Sequence, residues 1–464
     1  MPLPGLSWNP SGASGVKLLL AGGTVTLWTT IWSICLLGMY TAIRHFSHKP
    51  RIALEIPPSG SLPGVTIIRP LRGLDPNLFY NLESTLALDY PKDRYEVIFA
   101  LQRENDQALE VVMRLISKYT DVDMRVIVTT EPIGVNPKIN NIYNPISQAK
   151  YDILWVLDAT ISVNKRSLLH SVTALVSPTD PSTGPDMEHS ALLYDPSSDK
   201  REPNDQAFSA PASGVGLVHH VPFAWVPEKS FGSRLEQVYL NSTHAKMYLA
   251  INATGLDSCV VGKSNLYRRS ALNQLQTPSP TLRASPHSPR GIAAYSPFLP
   301  EDNMIAMGIM HQLGLKHRIT PNLALDCLGP VNVGAYIARR IRWIRVRRRM
   351  VLAATLVEPL TESLLLGALA SWAVHTLFGV PPVPFFLVHE VLWLMVDLRV
   401  MKALKGEGLR AGEFIDFFTA WICREGLALP IWLRAIIGEK VVWRGVTYKI
   451  LPSGEAVKLV ENMP

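Results

Sequence analysis

An α/β fold behind a membrane anchor is the architecture that three features of the sequence predict. Residues 18–43 form an uncharged apolar run, short apolar runs then alternate with helix-length stretches, and a second apolar region follows residue 350. The 464 residues suffice for one sizeable catalytic domain with accessory segments. Mean hydropathy is +0.14, high for a soluble enzyme. The net charge of +7 is concentrated, with seven arginines between Arg339 and Arg349. Such a cluster suits a membrane surface or a phosphate-bearing substrate. No zinc-ligand, helix-turn-helix or RNA-binding motif supports nucleic acid as a partner. Cys35, Cys259, Cys327 and Cys423 form no paired motif, which argues against a disulfide framework or a thiolate metal site and for a reduced, cytosol-facing chain.

The 18–43 run is long enough to span a bilayer and is too long for the core of a signal peptide. Lys17 alone precedes it, whereas Arg44, His45, His48, Lys49 and Arg51 follow. The positive-inside rule therefore places residues 1–16 in the lumen, the anchor at 17–43 and the rest in the cytosol. A Pro-rich linker, 44–63, leads to a catalytic domain expected over 64–349.

Within that domain, apolar runs at 65–68, 95–101, 124–128 and 153–157 read as strands. Helix-length stretches at 77–88, 107–119, 138–150 and 165–176 separate and follow them, which predicts a mostly parallel sheet with helices on both faces. Ligands in such sheets sit beyond the carboxyl ends of the strands, where Arg69, Asp106, Gly134 and Asp158 fall. Residues 177–212 and 277–297, rich in Pro and Ser, read as mobile inserts without chemistry. Residues 350–402 read as a membrane hairpin broken at Pro381-Pro382. Residues 403–440 contain Asp416, Arg424, Glu425, Pro430 and Arg434, and read as an interfacial or re-entrant helix. A cytosolic tail, 441–464, completes the chain.

Several side chains suit chemistry on a phosphate ester. Asp158 ends a buried strand, where a carboxylate can bridge a hard cation to phosphate oxygens or simply cap the following turn. Asp106 and Asp302 both stand before helices, as an N-cap would. Arg339, Arg342 and Trp343 combine cations with an aromatic surface, but they also fit an ordinary basic flank. Lys138 lies within reach of a diphosphate. His219 and His220 lack a third metal ligand nearby and are candidates for the acceptor side. Asn241 and Asn252 begin glycosylation sequons, expected to stay unmodified on the cytosolic side.

These residues resemble the ceramide glucosyltransferase family from the anchor to near Thr447. The matching stretches are Arg69-Pro-Leu-Arg-Gly-Leu-Asp-Pro-Asn77, Leu88-Asp-Tyr-Pro91, Gly134-Val-Asn-Pro-Lys-Ile-Asn-Asn141 and His219-His220, followed by Leu235-Glu-Gln-Val-Tyr239, Glu301-Asp302, Arg339-x-x-Arg-Trp343 and Trp421-Ile-Cys-Arg-Glu425. The resemblance implies an A-type nucleotide-sugar transferase fold, UDP-glucose as donor, ceramide as acceptor and inversion in one displacement. It implies that Asp106 contacts the nucleotide, that Asp158 holds the diphosphate with a divalent cation (Mn or Mg), and that Asp302 is the base. Arg339 and Arg342 would stabilise the leaving phosphates, and Trp343 would line the acceptor site. Gln107 departs from the family's usual Pro. The long inserts suggest a fungal-type member, resident in Golgi or ER membrane. A polysaccharide synthase or polyprenyl-phosphate sugar transferase is the rival reading, although a polymer exporter needs more channel helices than this chain offers. An inactive lipid-binding relative is the rival from another class, against which the presence of every expected carboxylate and arginine counts.

Overall fold

The computed structural model of the protein describes residues 14–47, 62–177, 214–228, 230–443 and 445–459. Its strands are β1 (Val65–Pro70), β2 (Tyr95–Leu101), β3 (Asp123–Val128), β4 (Ile153–Leu157), β5 (Ile161–Ser162), β6 (Val215–Trp225), β7 (Ser264–Arg268) and β8 (Lys316–Cys327). They form one eight-stranded sheet in the order β3-β2-β1-β4-β7-β6-β8-β5. The four strands expected from the apolar runs make its parallel half. β7 runs antiparallel to β4 and β6, β8 runs parallel to β6, and β5 closes the edge antiparallel to β8.

Side-chain alternation sorts the two faces of this sheet. On β4, Ile153, Trp155 and Leu157 pack into one layer with Leu82, Val112 and Leu168. Leu154 and Val156 enter the other, with Ile139, Ile142 and Ile305. Helices Leu78–Glu83, Ala108–Lys118 and Ser167–Val176 cover the first face, and Pro137–Ser147 and Glu301–Leu313 the second. The first helix is shorter than its expected 77–88, because the chain leaves it to bring Asp89 N to the Lys165 carbonyl at 2.8 Å.

The first insert lies outside the described residues from 178 onward. The second, expected as a mobile loop, carries elements of its own. Residues 277–297 fold onto the domain through the short helix Pro280–Arg283, capped by Ser279, a bridge between Gln276 and Arg290, and a 3-10 turn, Gly291–Tyr295. Ile292, Ala294 and Tyr295 fill the core beside Ile305 and Ile309, so the few apolar residues of this segment anchor it. The tail also gains structure. β9 (Lys440–Trp443), β10 (Val446–Ile450) and β11 (Ala456–Lys458) form an antiparallel sheet that packs Val441, Tyr448 and Ile450 on Leu299.

The predicted anchor is a single helix, Gly15–Phe46. It packs on the catalytic domain at Gly38, where a Cβ would meet the Lys246 carbonyl oxygen at 2.1 Å, so only glycine admits this approach. Trp28 and Trp32 donate to His389 Nδ1 at 3.2 and 3.3 Å, joining the anchor to helix Pro382–Lys405. The Lys246 ammonium, fully buried, pairs with Asp397 Oδ1 at 2.8 Å and lies 4.1 Å from the Trp393 ring centroid, while Trp421 donates to Asp397 Oδ2 at 2.9 Å. The two ends of the chain thus form one helical bundle beneath the sheet domain.

Among the described residues the anchor alone is long and apolar enough to cross a membrane by itself, and the pair Leu352–Thr361 and Ser363–Phe378, bent by 76°, meets that standard only when joined. The expected hairpin is therefore unequal, with helices of 16 and 24 residues. At 1.5 Å per residue the shorter is about 24 Å long, less than a bilayer core of about 30 Å. Outward faces of the bundle are nonetheless apolar, with Leu20, Leu36, Phe378, Leu387, Val391 and Met395 exposed. The helix Ala411–Ile437 is continuous through Pro430 and buries Arg424 and Glu425. Arg424 pairs with Glu362 at 2.7 Å and with Glu425, and Glu425 Oε2 accepts from Ser363 N at 2.9 Å, capping helix Ser363–Phe378.

Asn241 is buried and bonded to both the N–H and the carbonyl of Ala224, at 2.7 and 2.8 Å. Asn252 donates to the Tyr248 and Cys259 carbonyls. The Asn241 sequon is closed by packing, whereas Asn252 is half-buried and is followed by exposed Ala253 and Thr254.

Candidate active site

Four loops at the carboxyl ends of β1, β2, β3 and β4 converge on one crevice. After β2, Asp106 Oδ1 accepts from Gly73 N at 2.8 Å and Ala108 N at 2.9 Å, tying the β1 loop to the start of helix Ala108–Lys118. After β3, Asn140 Oδ1 accepts from Ile133 N and Gly134 N at 3.0 and 3.1 Å, which holds that loop folded over the helix it precedes. Asn136 caps this helix, accepting from Lys138 N at 2.8 Å and Ile139 N at 3.2 Å.

Asp158 leaves β4 with its side chain 28% exposed. Two lysines face it, Lys138 Nζ at 2.8 Å from Oδ1 and Lys263 Nζ at 3.8 Å from Oδ2. Lys263 also reaches Asp326 Oδ2 at 3.2 Å and Thr160 Oγ1 at 3.1 Å. Buried Arg69 donates to the Ile161 carbonyl at 2.9 Å; burial pushes its pKa down to about 9, against the pull of the Asp158 charge.

Glu301 and Asp302 open helix Glu301–Leu313, whose N-terminal dipole favours negative charge. Glu301 Oε1 lies 3.4 Å from Lys138 Nζ and Oε2 accepts from Asn136 Nδ2 at 2.8 Å. Burial pushes the Glu301 carboxyl up to about 7, with Lys138 opposing the shift and Asp302 adding to it. Burial also raises Asp302, opposed mainly by Lys138. Burial works against the charge on Lys138, but Asp158, Glu301 and Asp302 together raise its pKa and keep it protonated.

The arginines lie on helix Val333–Arg348. Arg339 Nε is 3.3 Å from Glu236 Oε1, and its guanidinium is 5.4 Å from the Trp343 ring centroid. Trp343 makes edge and tilted contacts with Tyr239 and His244 at 6.4 and 6.2 Å. Arg342 is half-buried on the same helix. Arg340 is the buried member of the run, 3.6 Å from the Tyr239 ring centroid and 3.2 Å from Glu358. Burial pushes the Cys259 thiol up to about 11, with Arg347 lowering it and Asp257 and Asp302 raising it.

His219 and His220 occupy another place. Both are buried on β6, His219 against Tyr248 and His220 bonded to Ser171 at 3.1 Å and Ser264 at 2.7 Å. Burial depresses both, His220 to about 4. The structure thus brings Asp158, Lys138 and Asp302 together, sets Asp106 on the neighbouring loop, and places the histidines in the sheet core. Sequence reading missed Glu301 as a separate partner and missed Lys263 and Asn136. A Gly262-Lys263 step just before β7 and an Asn-Pro pair at a helix start are the signals they leave.

Among the described residues no three His, Cys, Asp or Glu side chains group to hold a metal. A magnesium-type cation commonly takes one or two carboxylates and completes its shell with substrate phosphates and water. Asp158, exposed at the crevice, fits a cation that arrives with a diphosphate.

The sequence profile of glycosyl transferase family 21 matches residues 30–183 and 206–456. A ceramide glucosyltransferase of Komagataella phaffii is 32% identical, over 95% of this chain and 92% of its own. That of Pyricularia oryzae is also 32% identical, over 92% and 94%. Ceramide glucosyltransferase 1 of Caenorhabditis elegans is 25% identical over 96% and 83%. Among solved structures, the mannosyltransferase PcManGT from Pyrobaculum calidifontis, in complex with GDP-Man and Mn2+, covers 90% of this chain and 98% of its own with a TM-score of 0.45 and 16% identity. The match of the family profile along both ends of the sheet domain and into the tail shows that this chain belongs to glycosyl transferase family 21.

Proposed function

We propose that the protein is a ceramide glucosyltransferase, moving glucose from UDP-glucose to the primary hydroxyl of ceramide with inversion. The observation that carries this reading is the placement of Asp158 and Asp302 around Lys138, whose ammonium pairs with Asp158 and shares the Gly262 backbone step with Asp302. One carboxylate lies where the diphosphate leaves and the other where an acceptor hydroxyl loses its proton. Asp158 would hold a Mn or Mg ion, which when bound supplies positive charge to the leaving diphosphate. Asp302 orients the acceptor hydroxyl and takes its proton. Arg339 and Arg342 stabilise developing phosphate charge, Asp106 fixes the loop over the nucleotide, and Trp343 presents an apolar surface to the acceptor.

Ceramide carries two long chains, and each buried methylene is worth about 0.8 kcal/mol. An enzyme for such a substrate must work at the interface, and the exposed apolar bundle supports a membrane-seated site. We assign the sheet domain to the cytosolic face of a Golgi or ER membrane, with the C-terminal helices embedded beside the anchor.

Transfer of labelled glucose from UDP-glucose to ceramide by the detergent-solubilised protein is the expected result. No transfer from any UDP-sugar would remove the enzyme reading, and transfer to a sugar oligomer would remove ceramide. Asp158→Asn removes a charge-assisted contact worth about 1.5–3 kcal/mol, so the KM for UDP-glucose should rise by roughly 10- to 100-fold. An unchanged KM would argue that Asp158 serves only the turn after β4.

Since packing closes the Asn241 sequon and Asn252 is engaged by two carbonyls, orientation calls for a more exposed probe. Leu256 is 82% exposed, and Leu256→Asn creates an acceptor sequon with Ser258. After expression in a eukaryotic cell this variant should show no glycosidase-sensitive shift on a gel. A glycan there would place the domain in the lumen.

A further inference from the structure

The Lys138 ammonium was expected on a diphosphate, but protein oxygens already surround it. It lies 2.8 Å from Asp158 Oδ1, 3.4 Å from Glu301 Oε1, and donates to the Gly262 carbonyl at 2.8 Å. A Cβ on Gly262 would meet Asp302 Oδ2 at 2.8 Å and Lys138 Nζ at 2.9 Å, so ammonium and base crowd the same backbone step.

Asn136 holds both neighbours of this ammonium. Its Oδ1 accepts from Lys138 N at 2.8 Å, and its Nδ2 donates to Glu301 Oε2 at 2.8 Å and the Phe298 carbonyl at 2.7 Å. Asn136 is fully buried, and Glu301 is 5% exposed. Fixing the Glu301 carboxylate fixes the rotation of the helical turn on which Asp302 stands. The two helices that begin at Pro137 and Glu301 are thereby joined at their N-termini, and Asp158 is tied to both.

We propose that Asn136, Lys138 and Glu301 form a positioning clamp that holds Asp158 and Asp302 in one register, with Lys138 as its hub and not a diphosphate ligand. The inference rests on the reading of Asp158 as the donor-side carboxylate and Asp302 as the base. Displacing a reacting group by about 1 Å can cost a factor of about 100 in rate, so the clamp acts on turnover.

Lys138→Met, Glu301→Gln, Asn136→Ala and Lys138→Ala in the full chain test it. Steady-state transfer to ceramide is measured beside equilibrium binding of UDP. Each of the first three should lower kcat by roughly 100-fold while the Kd for UDP stays within about threefold. Ethylammonium should restore part of the activity of Lys138→Ala, with saturation, and none to Glu301→Gln. A Kd for UDP raised in step with, or beyond, any fall in kcat would overturn the clamp and return Lys138 to the diphosphate. Unchanged kcat in Glu301→Gln, a nearly isosteric change, would overturn it as well. Bound UDP shows that a variant has folded, and wild-type protein without transfer would instead sink the functional reading beneath it.

Discussion

Asp302→Asn is expected to lower kcat by about 10²- to 10⁴-fold, the usual contribution of a positioned general base, while UDP binding persists. The amide keeps the shape of the side chain in the first turn of helix Glu301–Leu313 but cannot take a proton. The same carboxyl sets the pH dependence. Burial raises its pKa above the ordinary value for an aspartate, with Lys138 opposing. Only the ionised form is a base, so activity should fall as the pH drops through this raised pKa. The acid limb of a kcat/KM profile should therefore lie above the ordinary aspartate value of about 3.9. A limb at that value, or an Asp302→Asn protein with near-normal turnover, would remove Asp302 from the base's role.

Arg424→Ala is expected to unfold or strongly destabilise the protein. Arg424 is 1% exposed and holds Glu362 and Glu425 among packed helices. Removing one partner of a buried ionic group leaves an uncompensated charge, at a cost of about 3–5 kcal/mol. A charged side chain on such a helix can either line a headgroup entry, with a selective loss of ceramide use, or pair with its neighbours. Its closed pairing, and the cap that Glu425 provides to Ser363, predict instead that UDP binding and ceramide use fall together with the yield of folded protein. Size-exclusion profiles and UDP binding of the variant decide between them. A well-folded Arg424→Ala protein with normal UDP affinity and a raised KM for ceramide would restore the headgroup assignment.

Much of the fold was legible because it depends on local pattern. The β-branched and aromatic runs of β2 and β4 were delimited correctly, since a strand buried on both faces reads as a near-continuous apolar run, broken in β2 only by Glu96. The anchor was legible because bilayer-length apolarity has few alternatives. Less local features escaped. The tail sheet is built from residues that alternate weakly and gain their burial only against Leu299. The 277–297 segment has a loop-like composition, yet Ile292 and Tyr295 suffice to anchor it.

The site divides in the same way. Element boundaries put Asp106, Asp158 and Asp302 at strand ends and helix starts, where each also reads as a cap, and the family resemblance gave them roles. How they are partnered was not legible, since Lys138, Glu301 and Asn136 meet only after the sheet has brought two helix N-termini together. Likewise His219 and His220 stand side by side in a motif, and only the packing of β6 against Tyr248, Ser171 and Ser264 shows them to be core groups. The sequence by itself determined the α/β class, the apolar N-terminal helix and the places of the carboxylates at element ends, because periodicity and element ends are local properties. Tertiary structure alone decided which charge meets which, because a buried ion pair is chosen by the packing that removes water around it.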